Sequence, residues 1–226
     1  MRRRFRLSLL AALLLAPAIA RAEPPAPAPD AAPLRVYVVR HASAWKNVPA
    51  ARRPGVMSDA QLDALTPAGL ARAEQAGAEL AGKGVVAVYT SPAHRAEQTA
   101  EAIAKRLGLA APIVEDAFRT LDSGPDRAAA SGTVRAANWK AGRDPRPAGG
   151  ESLADGFARA SDRLAALRAA HAGQAIAIVT HGEIAASLLA KAAGQDILRG
   201  YFDHFPDEGS VHAIAVEASG ALAPAK

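Results

Sequence analysis

The sequence predicts an α/β domain with a largely parallel central sheet and helices on both of its faces. Short, nearly uninterrupted apolar runs occur at residues 34–39, 85–89 and 176–179. A strand without polar alternation is one covered on both sides. Helix-like segments of a dozen residues or more lie between these runs, as parallel strands require. At 226 residues, half of them hydrophobic, the chain can close one sizeable core. Aromatic residues make up only 4%, so Ala, Leu, Val and Ile must fill it.

The amino-terminal region stands apart from this domain. Arg2, Arg3, Arg4 and Arg6 precede a short apolar stretch over residues 7–16. Ala18-Ile19-Ala20 and Ala20-Arg21-Ala22 each offer a small-x-small cleavage site. About ten apolar residues are too few to span a bilayer, so residues 1–22 read as a signal peptide rather than an anchor, and no stable membrane span is expected after its cleavage. The Arg2-Arg3-Arg4-Phe5 run also fits the twin-arginine export pattern. Residues 23–33 are a Pro/Ala-rich linker, expected to be extended. The domain proper is residues 34–226, and the expected location is periplasmic or secreted. With no cysteine in the chain, an exported fold of this kind uses neither a disulfide nor a thiol nucleophile.

The formal net charge of +5 belongs to that leader. Residues 1–22 hold five arginines and no acid, and the remainder balances 22 basic against 22 acidic residues. A neutral domain poor in aromatics has no field to steer it onto nucleic acid.

Each element has a local reason. Residues 34–39 form the first strand, apolar except for Arg35. Thr66 caps a helix whose first turn holds Pro67, and the helix runs to about Gly82. Residues 85–89 are the second strand. The next helix, 92–107, gathers Ala96, Ala100, Ile103 and Leu107 on one face and stops at Gly108. Ile113-Val114 suits a short strand, and 115–150 carries no clear period. A helix over 152–171, a central strand over 176–179, a helix over 183–193 closed by Gly194 and a last strand over 209–216 complete the domain. No internal repeat is visible.

Two of the apolar runs end in histidine: one leads into Arg40-His41-Ala42, the other into Thr180-His181-Gly182. Ligands of open α/β sheets bind beyond the carboxyl ends of the strands. A third run leads through Ser91-Pro92 to a helix bearing Arg95. A cation in a helix's first turn opposes the macrodipole, so stability alone argues against Arg95. An anion site argues for it, because guanidinium forks and free backbone N–H groups both suit phosphate oxygens. A lone histidine after a strand is ordinarily structural; the pair, flanked by arginines, points to phosphoryl chemistry.

Five segments in order resemble the histidine phosphatase superfamily, also called phosphoglycerate mutase-like. They are Arg40-His41-Ala42, Leu65-Thr66-Pro67-x-Gly69, Ser91-Pro92-x-x-Arg95-x-x-Gln98-Thr99-Ala100-Glu101, Gly149-Gly150-Glu151-Ser152 and Val179-Thr180-His181-Gly182. The resemblance spans residues 34–216. It implies a three-layer α/β/α sandwich and hydrolysis of a phosphate monoester through a phosphohistidine on His41, with Arg40, Arg95 and His181 holding the transferring group. A neutral imidazole attacks without prior loss of a proton, which suits His41 to the part.

The proton donor is less plain. Members of this family commonly carry a glutamate ahead of a glycine in the segment after the second helix. Here that segment reads Thr120-Leu121-Asp122-Ser123-Gly124, leaving Asp122 as first candidate and Glu151 as second; the competing reading of Glu151 is a helix cap. Without either, substrates with good leaving groups such as phosphohistidine or phosphoanhydrides are favoured. Ser91, Asn47 and Glu151 are the expected substrate contacts. Ala42, Ser43 and Ala44 depart from the family's frequent glycine and Glu-Thr pair. Trp45 and Lys46 suit the entrance. His94 and His171 read as exposed helix residues, and His204 and His212 as pocket candidates. Arg52-Arg53 and residues 144–147 read as solvated loops, the competing reading being cationic contacts to a second substrate phosphate. Six histidines without close spacing give no metal site, and no cofactor is expected. The partner is a small phosphorylated substrate. A phosphate-ligand binder without turnover is the competing reading.

Overall fold

A computed structural model describes residues 32–128 and 130–225. The expected signal peptide and most of the linker lie outside the described residues.

A six-stranded sheet runs through the domain in the order β3-β2-β4-β1-β5-β6. β1 (Leu34–Arg40), β2 (Val85–Thr90), β3 (Ile113–Val114) and β4 (Ala175–Thr180) are mutually parallel. β5 (Val211–Val216) pairs antiparallel with β1, and β6 (Leu222–Pro224) antiparallel with β5. The expected α/β class and largely parallel sheet are what is observed. β6 was not expected; three residues with a proline give no strand signal.

Residue parity along the strands assigns the layers. Leu34, Val36 and Val38 of β1, with Ile176 and Ile178 of β4, face one cluster; they pack with Leu153 and Leu164 of α5 (Leu153–Ala170) and Ile184 and Leu188 of α6 (Gly182–Ala192). Tyr37 and Val39, with Ala177 and Val179, face the other. There they meet Leu80 of α2 (Pro67–Leu80) and Ala96, Ala100 and Ile103 of α3 (His94–Leu107). β4 is buried at all six positions, as a central strand covered on both faces should be. Each fully buried Ile or Leu contributes about 1.5–3 kcal/mol. The second cluster is alanine-rich, and the helices over it approach closely.

The caps follow the sequence. Thr66 Oγ1 accepts from Gly69 N at 2.9 Å, Ser152 Oγ accepts from Asp155 N at 3.2 Å, and Gly108 closes α3 in the left-handed conformation. Gly69 has a second role. A Cβ there would sit 2.1 Å from the carbonyl oxygen of Ser43, so its absence lets the start of α2 lie directly on the loop that follows β1.

The stretch without a period, 115–150, folds into a 3-10 turn (Asp116–Phe118) and α4 (Gly132–Lys140). Phe118 is fully buried, and its carbonyl accepts from Thr180 Oγ1 at 2.7 Å. Trp139 is buried against Tyr201, with ring centroids 4.6 Å apart. Arg135 is buried, and its three nitrogens donate to the carbonyls of Ala130, Glu151 and Asp122 at 2.8–2.9 Å. Of residues 144–147, Pro145 and Arg146 are exposed as expected, while Asp144 caps a helix, accepting from the N–H groups of Leu153 and Ala154, both at 2.9 Å. Among the described residues, no helix is long and apolar enough to cross a membrane.

Candidate active site

The carboxyl ends of β2, β4 and β1 lie side by side and deliver the three motifs together. Backbone bonds stitch their loops, His41 N to Thr180 O at 2.9 Å and Ser91 N to Val179 O at 3.0 Å. The Ala42 N–H donates to Thr99 Oγ1 at 3.0 Å, whose hydroxyl donates to the Arg95 carbonyl at 2.7 Å. The loop of β1 is thereby tied to the first turns of α3.

Arg95 is the hub. Its Nε donates to His41 Nε2 at 3.0 Å and its Nη2 to His181 Nδ1 at 2.8 Å; its Nη1 pairs with Asp63 Oδ1. The imidazole centroids are 5.2 Å apart with the rings at 61°. All three groups are buried: Arg95 is 6% exposed, His41 4% and His181 1%. The tautomers follow from the partners. His41 Nδ1 lies 2.9 Å from the Ala42 carbonyl and must donate to it, leaving the Nε2 lone pair toward Arg95. His181 receives Arg95 at Nδ1, so Nε2 carries the proton and donates to Ser91 Oγ at 2.7 Å. Burial, then the charge of Arg95, lowers His41 from 6.5 to about 3. Burial, then Arg95 and His41, holds His181 well below its ordinary value. Both rings are neutral, and the pocket's net charge comes from guanidinium.

Arg40 sits against the same cluster, held from outside. Its Nη1 donates to the Pro206 carbonyl at 2.9 Å, its Nη2 pairs with Glu208 at 3.2 Å, and its guanidinium carbon lies 4.9 Å from the Phe205 ring centre. The Arg40 Nε is buried with no partner among the described residues. Phe205 rests on Gly182, where a Cβ would come within 2.4 Å of its ring. The first turn of α6 thus supports the ring under Arg40.

The family model for the histidine phosphatase superfamily, branch 1, matches residues 36–223. The chain belongs to that superfamily. Its fold is similar to that of YhfR from Bacillus stearothermophilus, with 25% identity, 85% of this chain and 95% of the other covered, and a TM-score of 0.67. It is also similar to a mycobacterial glucosyl-3-phosphoglycerate phosphatase solved with VO3 (23% identity, 84% and 95% covered, TM-score 0.65). A third likeness is a phosphoserine phosphatase mutant from Entamoeba histolytica in complex with phosphoserine (18% identity, 85% and 95% covered, TM-score 0.64). No curated protein matches the chain.

Within this histidine phosphatase the other expected site residues are dispersed. Ser91 receives His181 and the Ala93 N–H (3.2 Å) on one oxygen, so it orients the imidazole. Asn47 is exposed, and its Oδ1 accepts from Ala44 N within its own turn. Glu151 does not cap α5. Arg119 reaches its two oxygens at 2.7 and 3.0 Å, Arg159 grips both at 3.0 Å, and Asp122 N donates at 3.0 Å. Burial pushes its carboxyl up, but the bonds from Arg119 and Arg159 outweigh that and leave it at about 2. Asp122 is exposed, and its Oδ1 accepts from Gly124 N at 2.8 Å. His204 and His212 line a separate hollow of about 250 Å³. His171 is half-buried rather than exposed, its Nε2 2.8 Å from the Tyr89 hydroxyl. Arg53 braces the entrance loop by donating to the Val48 and Lys46 carbonyls.

Sequence reasoning missed Asp63. It ends α1 (Asp59–Asp63), accepts from His94 N at 3.0 Å and lies 3.4 Å from Lys46 Nζ, besides pairing with Arg95. Burial raises its pKa, and the charges and hydrogen bonds of Arg95 and Lys46 together more than reverse this. The available signal was Ser58-x-x-Gln61, a capping box, which marks a helix just ahead of Asp63. Beside the cluster, Lys46, Arg119, Leu121, Asp122, Arg135 and Glu183 line a cleft of about 500 Å³. A larger hollow, about 930 Å³, lies at the opposite ends of the strands around Arg35 and Gln174 and contains no histidine.

Proposed function

We propose that this protein hydrolyses phosphate monoesters outside the cytoplasm through a covalent phosphohistidine on His41. The observation that carries the reading is the buried Arg95 guanidinium donating to both imidazoles at 2.8–3.0 Å. These donors rest on ring nitrogens; a tetrahedral oxyanion entering between the rings takes them over. The His41 Nε2 lone pair, now free, attacks phosphorus, and the ester oxygen leaves on the opposite side. Nδ1–H, held by the Ala42 carbonyl, fixes the ring and carries the positive charge that develops.

The charge of the transferring group is met by fixed donors in a dry site, where each is worth most. Arg95 supplies a fork, and Arg40 a buried Nε without a partner among the described residues. The N–H groups at the start of α6 add partial positive charge. Buried beside Arg95, His181 is neutral; an arriving dianion raises its proton affinity, and a protonated ring adds a donor. Asp63 holds Arg95 in place from behind. A water then attacks the phosphohistidine, releasing inorganic phosphate and restoring neutral His41. The arginine-rich leader with its small-x-small sites supports export.

The test is phosphate release from 4-nitrophenyl phosphate, with radiolabelled phosphate trapped on the quenched protein. Wild type is expected to turn over and carry an acid-labile, base-stable label, and His41→Ala to do neither. Equal inertness of both across a panel of phosphate monoesters overturns the reading. Export is checked by sequencing the amino terminus of protein recovered outside the cytoplasm, which should begin at Arg21 or Glu23.

A further inference from the structure

Apart from Glu208, which pairs with Arg40, four carboxylates surround the cluster and its cleft, and three are engaged. Asp63 is paired with Arg95 and Lys46. Glu151 is enclosed by two guanidiniums and held at about 2. Asp122 is exposed and closes its own turn on Gly124. The fourth is Glu183. Among the described residues it has neither an ion pair nor a hydrogen bond from its side chain, yet it is half-buried and forms part of the cleft wall with Lys46, Leu121 and Arg135. It is the second residue of α6, two places after His181, which caps that helix. Its backbone is therefore fixed relative to the imidazole that borders the phosphate position.

Resting on the hydrolase reading above, we propose that Glu183 is the carboxyl that protonates the leaving oxygen. A donor must carry a proton when the substrate is bound. No guanidinium or ammonium is bonded to Glu183, whereas Glu151 is held ionised by Arg119 and Arg159, and Asp63 is paired with Arg95 and Lys46. As the His41 Nε2–P bond forms and the P–O ester bond breaks, the leaving oxygen takes the Glu183 proton and departs as an alcohol. The carboxylate left behind accepts a proton from the water that attacks the phosphohistidine. That step yields inorganic phosphate, neutral His41 and reprotonated Glu183, so the cycle closes without a co-reactant.

The experiment compares leaving groups. A nitrophenolate departs with little help, while an alkoxide needs a proton. For Glu183→Gln, kcat/KM on 2-glycerol phosphate should fall by about 100-fold or more and on 4-nitrophenyl phosphate by less than about 10-fold. With the aryl substrate the variant should also show a burst of nitrophenolate equal to the enzyme present, followed by slow turnover, because dephosphorylation loses its base. A misfolded variant shows a reduced burst, and Glu183→Asp should restore part of the alkyl activity. Equal losses on both substrates, no loss at all, or a leaving-group-selective loss in Asp122→Asn instead overturns the assignment while leaving the hydrolase reading intact. A wild type that is inert and takes no label overturns both.

Discussion

Glu151→Gln tests how the cleft wall is held. The wild-type side chain is 16% exposed and receives Arg119, Arg159 and the Asp122 N–H. A carboxyl with an ordinary value of 4.5 held at about 2 in the folded state contributes about 3 kcal/mol at neutral pH, since each pKa unit corresponds to about 1.4 kcal/mol. Because the folded value is the lower one, the contribution is complete above about pH 5 and declines as pH falls toward 2. By pH 3.5 about 2 kcal/mol remains. The amide keeps the shape but offers two guanidiniums no charge. Urea unfolding at pH 7 should show a loss of about 2–3 kcal/mol, or about 5–10 °C in Tm for a domain of this size. The gap from wild type should narrow by about 1 kcal/mol at pH 3.5. A loss below about 0.5 kcal/mol at pH 7, or a gap independent of pH, refutes the claim that Glu151 holds the wall as a half-buried anion.

The buried neutral imidazoles give stability the same pH sense, in a higher pH range. Their folded values lie below 6.5, so the unfolded chain binds more protons below that pH and the fold weakens on acidification. Each ring costs about 1.4 kcal/mol by pH 5.5, and His41→Asn should remove about half of that slope in urea titrations; an unchanged slope counts against burial of a neutral ring. Arg95→Ala should lower kcat/KM by about 10³-fold or more, with Arg95→Lys recovering little because one ammonium cannot span two imidazoles and a carboxylate; a Lys variant near wild type contradicts the hub. Gly69→Ala places a Cβ 2.1 Å from the Ser43 carbonyl and should cost about 1–3 kcal/mol, read by thermal melting; a neutral result argues against the tight seat of α2 on the β1 loop.

The elements built on period and caps were legible. Strands 34–39 and 176–179 and the helices after Thr66 and Ser152 announced themselves because burial on both faces leaves almost no polar residue and because helix ends need side-chain acceptors. The two histidines and Arg95 were legible for a different reason: each stands where local stability gives no cause for it. What stayed hidden is the cleft wall. Residues 115–150 hold their shape through contacts that leave no periodic mark: Arg135 on carbonyls, Asp144 across nine residues to Leu153, Trp139 on Tyr201. Asp122 and Glu151 attracted attention as acids near a motif, yet spacing cannot say whether a carboxylate meets a guanidinium or open space. Asp63 was missed because its partner, Arg95, lies 32 positions away.

Arg135 grips peptide oxygens, not side chains. Such a clasp is indifferent to which residues it fastens, provided their backbone path is kept. The neighbouring positions are then free to diverge in size and polarity, so related enzymes can acquire new substrate preferences by redecorating this rim without rebuilding the catalytic floor beneath it.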